Sequence, residues 1–272
     1  MVGPSVRIVG LRFMRVIAVV LLAYLAMAGA SALGLPWLGW TLAGLLFAGY
    51  AALTVVESRK RAAFVREARW EQAIYDGKDR GRSIAEVKAA RAKIKPSQVS
   101  KRGELARLSV LLSELLDADG NWDSARAVID AVPLGGLSHL EAGLVRHTRA
   151  VVHLRAGDPL AALAALAERD GTGDGELDQR LELLEMYAQI EGGDARPGLE
   201  RAEAIAQRDN IDESVRTEAR VVRAAALDKL ERREEALVVL AALGRESLVP
   251  LSQLGQPRVR ALAKQILDGF ND

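Results

Sequence analysis

The 272-residue chain contains no cysteine, which excludes disulfides, thiolate metal sites and cysteine nucleophiles. That absence fits a reducing compartment. Aromatic residues make up only 4 % of the chain. A core must then be built from Ala, Leu and Val, a composition that favours close-packed helices over a β-sandwich. No Asp, Glu, Lys or Arg occurs from Val16 to Val56, so an ion pathway or proton relay through that stretch has no candidate. Neither a G-x-x-x-x-G-K-[ST] phosphate loop nor a G-x-S-x-G nucleophile elbow is present. No catalytic residue, cofactor ligand or metal ligand is expected, and the chain reads as a non-enzyme.

What fills the uncharged stretch is apolar, and it is two membrane lengths long. One helix needs about 20 apolar residues to cross a bilayer core. Pro36 interrupts the run, lacking an amide hydrogen and disfavouring helix in the residue before it. Trp37 and Trp40 follow, where amphipathic rings settle at headgroup level. The expectation is a membrane hairpin over residues 1–56, with spans at about 13–33 and 37–56. Ala26 with Ala30 and Gly44 with Ala48 lie four apart, a spacing that lets helices approach closely in lipid and leaves oligomerisation through the hairpin open. The competing reading is a cleaved signal peptide ending at Ala28-Gly29-Ala30 or Ala30-Ser31-Ala32, but the apolar stretch is longer than such a segment needs.

Charge orients the hairpin. Arg7, Arg12 and Arg15 precede it, Arg59, Lys60, Arg61 and Arg66 follow it, and the turn is uncharged. Basic outer flanks put both termini in the cytoplasm. Residues 57–107 carry 15 basic and 7 acidic side chains, whereas residues 108–272 carry 19 and 29. The basic part beside the membrane suits anionic lipid, with Arg59, Lys60, Arg61 and Arg66 as the candidate contacts. The acidic remainder argues against nucleic acid as a partner. Arg outnumbers Lys by 29 to 8, a bias associated with bacterial proteins of GC-rich genomes. The expected location is the bacterial inner membrane.

Residues 57–103 read as basic juxtamembrane helices and a linker. The second span continues as helix to Asp76-Gly77. A helix of about 83–94 follows, opened by a Ser83–Glu86 capping box and closed at Pro96. From Glu104 the pattern changes to helix pairs. Leu105, Leu108, Leu112, Leu115 and Leu116 form one apolar face. A second-helix signature then recurs as Ala125/Ile129, Ala162/Leu166, Gly198/Ala202 and Ala236/Leu240, at steps of 37, 36 and 38 residues. Repetition at this period marks a helical array, in which no pair buries its own apolar faces alone.

Here the chain resembles the tetratricopeptide repeat family. Leu112, Ser113, Leu116, Gly120, Ala125 and Ile129 follow the family's order with aliphatics for aromatics. Gly157, Ala162 and Leu166 match in the second unit, and Gly193 with Gly198 follow in the third. Ala224, Leu227, Ala236 and Leu240 match in the fourth, where Glu231 replaces the turn glycine. The resemblance implies an all-α fold with an α-solenoid over residues 104–248, and a concave groove for a protein or peptide formed by the first helices. Known carboxylate-binding members use Lys and Asn there; the residues expected in this groove are Val110, His147, Leu183, Tyr187 and Val221. Residues 249–272 are expected to cap the array with one helix, about Pro257–Gly269, opened by proline.

Two other constellations fall short of a metal site. His139, His147 and His153 are spaced 8 and 6 apart and share no helical face. Asp170 to Leu181 has the first, fifth and sixth residues of a calcium loop, but Leu181 stands where a bidentate Glu is required. A flexible connection accounts for it. The function these features imply is a membrane-anchored helical-repeat scaffold that recruits protein partners at the cytoplasmic face. The alternative is an integral subunit of a larger membrane complex.

Overall fold

The computed structural model describes residues 18–28, 30, 32, 35–95, 98–167, 171–208 and 211–269. Every regular element among the described residues is a helix. The chain divides into two compact units, Met1–Ala68 and Arg69–Asp272.

The first unit contains α1 (Ala18–Ala28) and the start of α2 (Pro36–Asp76). Parts of the expected first span, residues 13–17 among them, lie outside the described residues, as do Arg7, Arg12 and Arg15. α2 begins at Pro36, where the missing amide hydrogen costs a helix nothing. It continues unbroken for 41 residues, about 60 Å at 1.5 Å per residue. Its apolar stretch has a mean hydropathy of 1.4 and is almost wholly exposed, so by length and composition α2 is able to cross a membrane. Among the described residues of this unit Ala23, Ala30 and Ala43 are buried. Gly44 and Ala48 are exposed.

The second unit opens with the last turns of α2, followed by α3 (Arg80–Ala92). Ser83 does not cap this helix: α3 begins at Arg80, and Ser83 is buried within it. Glu86 is engaged elsewhere, accepting from Trp70 Nε1 at 2.9 Å and pairing with Arg69 and Arg82. The indole and cationic donors draw its pKa below the ordinary carboxylate value. Arg80 ties two helix ends together, donating to the Ile74 and Ala118 carbonyls at 2.9 and 2.8 Å. Such groups are orphaned at every helix C-terminus and need donors.

A single 3₁₀ turn (Val99–Lys101) leads into α4 (Arg102–Ala118). Trp70, Ala73, Ile84, Val87 and Ile94 share a core with Leu108, Leu111, Leu112 and Leu115. Trp70 to Ile94 therefore contribute to the core of the second unit. Burying Trp70 and Val87 completely fastens the end of α2 and α3 to α4.

The remaining elements follow in order: α5 (Trp122–Asp130), α6 (His139–Arg155), α7 (Pro159–Leu166), α8 (Gly175–Gly192), α9 (Ala195–Ala206), α10 (Glu213–Lys229), α11 (Arg233–Ala241), α12 (Arg245–Leu254) and α13 (Pro257–Gly269). The long helices α4, α6 and α8 each pack on the short helix that follows and on the next long one, and α10 packs on α11. Small residues make these approaches close. Ala125, Ala162, Ala202 and Ala236 are fully buried, and a Cβ on Gly198 would lie 2.5 Å from Ile190 Cγ1. The turns after α4 and α6 use Gly120 and Gly157 at φ 79°. Glu231 adopts φ 63° at the matching turn after α10, a conformation costly for a residue with a Cβ.

α12 departs from the sequence expectation of one helix in residues 249–272, because it runs from Arg245 to Leu254 across that boundary with Pro250 inside it. α13 starts at Pro257 as anticipated. Arg258 holds it down, donating to Glu191 Oε1 at 2.9 Å and to Asp228 Oδ2 at 2.7 Å.

Candidate functional site

Helical spacing brings one face of each of three long helices to a common cleft. α6 contributes His147, Val151 and Arg155, each four residues from the last, so all three lie in one row. α8 contributes Arg180, Leu183, Leu184 and Tyr187, and α10 contributes Glu218, Val221 and Val222. Ser247, Pro250, Leu251 and Leu254 of α12 form the opposite wall of a hollow of about 410 Å³. A neighbouring hollow of about 400 Å³ shares His147, Val151 and Arg155 and extends to Glu114 and Asp117 of α4.

Four of the five expected groove residues, His147, Leu183, Tyr187 and Val221, thus line one cavity. Leu183 and Tyr187 are buried in it, while His147 and Val221 are half-buried. Val110 is not among them. It lines a separate hollow of about 410 Å³ with Arg107, Glu141 and Leu144.

The cleft is apolar with a few charges whose partners are largely intramolecular. Arg180 spans α8 and α10, at 2.8 Å from Glu176 and 3.1 Å from Glu218. Burial raises the Glu218 pKa despite that pairing. Desolvation, with the Arg180 charge beside it, lowers the His147 pKa to about 4, so its imidazole is neutral at pH 7. Tyr187 is held protonated, its pKa raised well above the usual value by burial and by Glu191.

At the α4 end Arg155 pairs with Asp117, whose side chain is only 2 % exposed. Thr148 Oγ1 lies 3.5 Å from Glu114. Burial raises the Glu114 pKa to about 7, against the opposing pull of Arg155. Burial and the Arg260 charge lower the pKa of Arg155 to about 10. Sequence reasoning missed Glu114, Arg155, Arg180 and Glu218, although their spacing from the named residues placed them on the same helix faces.

These groups suit recognition by shape, apolar area and fixed charge. Among the described residues no three His, Asp or Glu side chains gather as a metal-binding set. His139 is exposed at the start of α6, and His153 faces Asp130 at 3.3 Å. Asp170 of the calcium-like loop lies outside the described residues. Its companions act in capping: Asp174 accepts from the Glu176 and Leu177 amides at 3.0 and 3.2 Å, and Asp178 accepts from Thr172 N at 2.9 Å.

Of the basic residues after the apolar stretch, Arg61 pairs loosely with Glu57 at 3.8 Å. Arg66 is exposed. Arg59 and Lys60 fall within α2, and their side chains are outside the described part of the structure. Comparison with known protein families, with curated proteins and with solved structures finds no match to this chain.

Proposed function

We propose that the protein is a membrane-anchored adaptor whose tetratricopeptide-like repeats carry a groove for a protein partner at the cytoplasmic face of a bacterial inner membrane. The observation that carries this reading is the convergence of His147, Leu183, Tyr187 and Val221 on one cavity. Three consecutive long helices supply a contiguous, mainly apolar surface, the form in which amphipathic segments are usually bound. The small buried residues at each second helix support the repeat register. The exposed apolar stretch of α2 supports the anchor, and the basic segment after it suits anionic lipid.

Photo-crosslinking in intact cells tests the adaptor reading. A crosslinker at Val221 should capture a defined protein, and one at exposed Leu160 of α7 should not. No adduct from Val221 would count against a partner groove. Reporter fusions at Ser5 and Asp272 should both report cytoplasm; an external signal from either would sink the two-span anchor.

The second reading, a subunit of a larger membrane complex, draws on Gly44 and Ala48, which remain exposed in α2. Small residues there leave room for a helix from another chain. Stoichiometric membrane proteins retained in mild detergent would favour it.

A further inference from the structure

The cleft already holds a segment of this chain. α12 lies over the floor with few buried residues of its own. Of its ten residues only Leu248 is buried, and Val249 is 40 % exposed. Its most extensive packing is on α13, with less on α11, while Leu248 joins the core that α8 and α10 share. Toward α6, α8 and α10 it leaves the two hollows of about 410 and 400 Å³. Atoms that line such gaps forfeit dispersion contacts, so α12 covers the floor without filling it. Pro250 adds weakness, since proline inside a helix removes one backbone hydrogen bond and crowds the preceding turn.

The way α12 lies there shows what the floor accepts. Ser247, Leu251 and Leu254 stand four and seven residues apart and make one helical stripe toward the hollow. The polar end matches too. The Gly255 carbonyl accepts from Arg260 Nε and Nη2 at 3.3 and 3.0 Å, and Arg155 lines the same hollow. A helix C-terminus carries about half a negative charge, so Arg260 at this end suits the direction in which α12 runs.

We propose that the partner taken by the cleft is an amphipathic helix with a small residue at i and apolar residues at i+4 and i+7, running in the direction of α12, and that α12 is a tethered stand-in which this partner displaces. The proposal rests on reading the cleft as a protein-binding groove. A tethered segment competes at a high effective concentration. Apparent affinity is reduced by the fraction of molecules whose cleft is covered, and freeing α12 removes that reduction.

The test uses the full chain in detergent and a fluorescent peptide spanning residues 244–256. Wild type should bind it weakly. A Leu251→Arg/Leu254→Arg variant, which disfavours α12 on the floor and spares Leu248, should bind at least about tenfold more tightly. Adding Val221→Arg to that variant should remove the gain. Hydrogen exchange should quicken in α12 alone and stay unchanged in α8 and α10. Excess peptide added to the unaltered protein should likewise speed exchange in α12, which reads the displacement without any substitution. Equal affinity for wild type and variant, no binding to either, or unchanged α12 exchange under excess peptide overturns the proposal. Those results leave a protein adduct from Val221 intact, whereas peptide binding without any cellular adduct would sink the adaptor reading alone.

Discussion

Glu114 is the side chain on which pH should act most plainly. Its carboxyl stays protonated up to about pH 7 in the folded protein, against an ordinary value of 4.5. Below 4.5 the folded and unfolded forms both hold the proton, and the stabilising contribution is fully present. As pH rises toward 7 the unfolded chain releases the proton first, so that contribution is lost. At ~1.4 kcal/mol per pH unit the loss is at most about 3 kcal/mol. His147 acts in the opposite sense, because a pKa lowered to about 4 makes stability grow as pH rises through its window. A Glu114→Gln variant separates the two. It keeps an acceptor for Thr148 and should be more stable than wild type at about pH 8, with the difference vanishing by about pH 4; denaturant melts at both values check this. Packing sets another residue-scale limit. Ala162 is fully buried whereas Leu160, in the same helix, is 74 % exposed. Ala162→Trp should cost about 1–3 kcal/mol by overpacking, and Leu160→Trp should leave the melting temperature unchanged.

At the scale of elements, the C-terminal helix is secured by charge as well as by apolar contact. Val259, Leu262 and Ala263 are fully buried, and Arg258 reaches Glu191 on α8 and Asp228 on α10. Hydrogen bonds to charged groups are worth about 1.5–3 kcal/mol each when made and satisfied. Arg258→Met should keep the stem's packing and lose these bonds. The expected outcome is faster hydrogen exchange in α13 and α12, with α4 to α7 unaffected. The helices most legible in the sequence were those with a proline at the first turn or a strong apolar row, such as α13 and α4. α12 was hidden because Pro250 argues against a helix locally, and α13 alongside it outweighs that preference. Ser83 misled for the converse reason. Its spacing to Glu86 fits a capping box, but Trp70 and Arg69 claim the carboxylate from another helix.

For the molecule as a whole, the lower boundary of the larger unit falls at Arg69. A chain beginning there should retain its fold. One beginning at Glu104 loses Trp70 and Val87 from the core and should be less stable by at least about 3 kcal/mol, the usual cost of emptying a buried tryptophan site. Thermal melts of the two fragments distinguish this from a solvated spacer, which would make no difference. The cleft was partly legible from sequence, since His147, Leu183 and Val221, expected in a groove, lie on α6, α8 and α10 and line one hollow. Val110 strayed because it lies one turn before Glu114 on α4, beside Glu141, Leu144 and Val145 of α6, where it lines a different hollow. The cover was invisible, because nothing local in residues 245–254 states which distant helices they lie over. Order of synthesis gives that cover a further meaning. The floor is complete once Val222 has been made, and α12 ends at Leu254, thirty-two residues later. At 5–20 residues per second the nascent chain carries an uncovered cleft for roughly 2–6 s. A partner made nearby in that interval meets no competitor and can engage before the chain closes on itself.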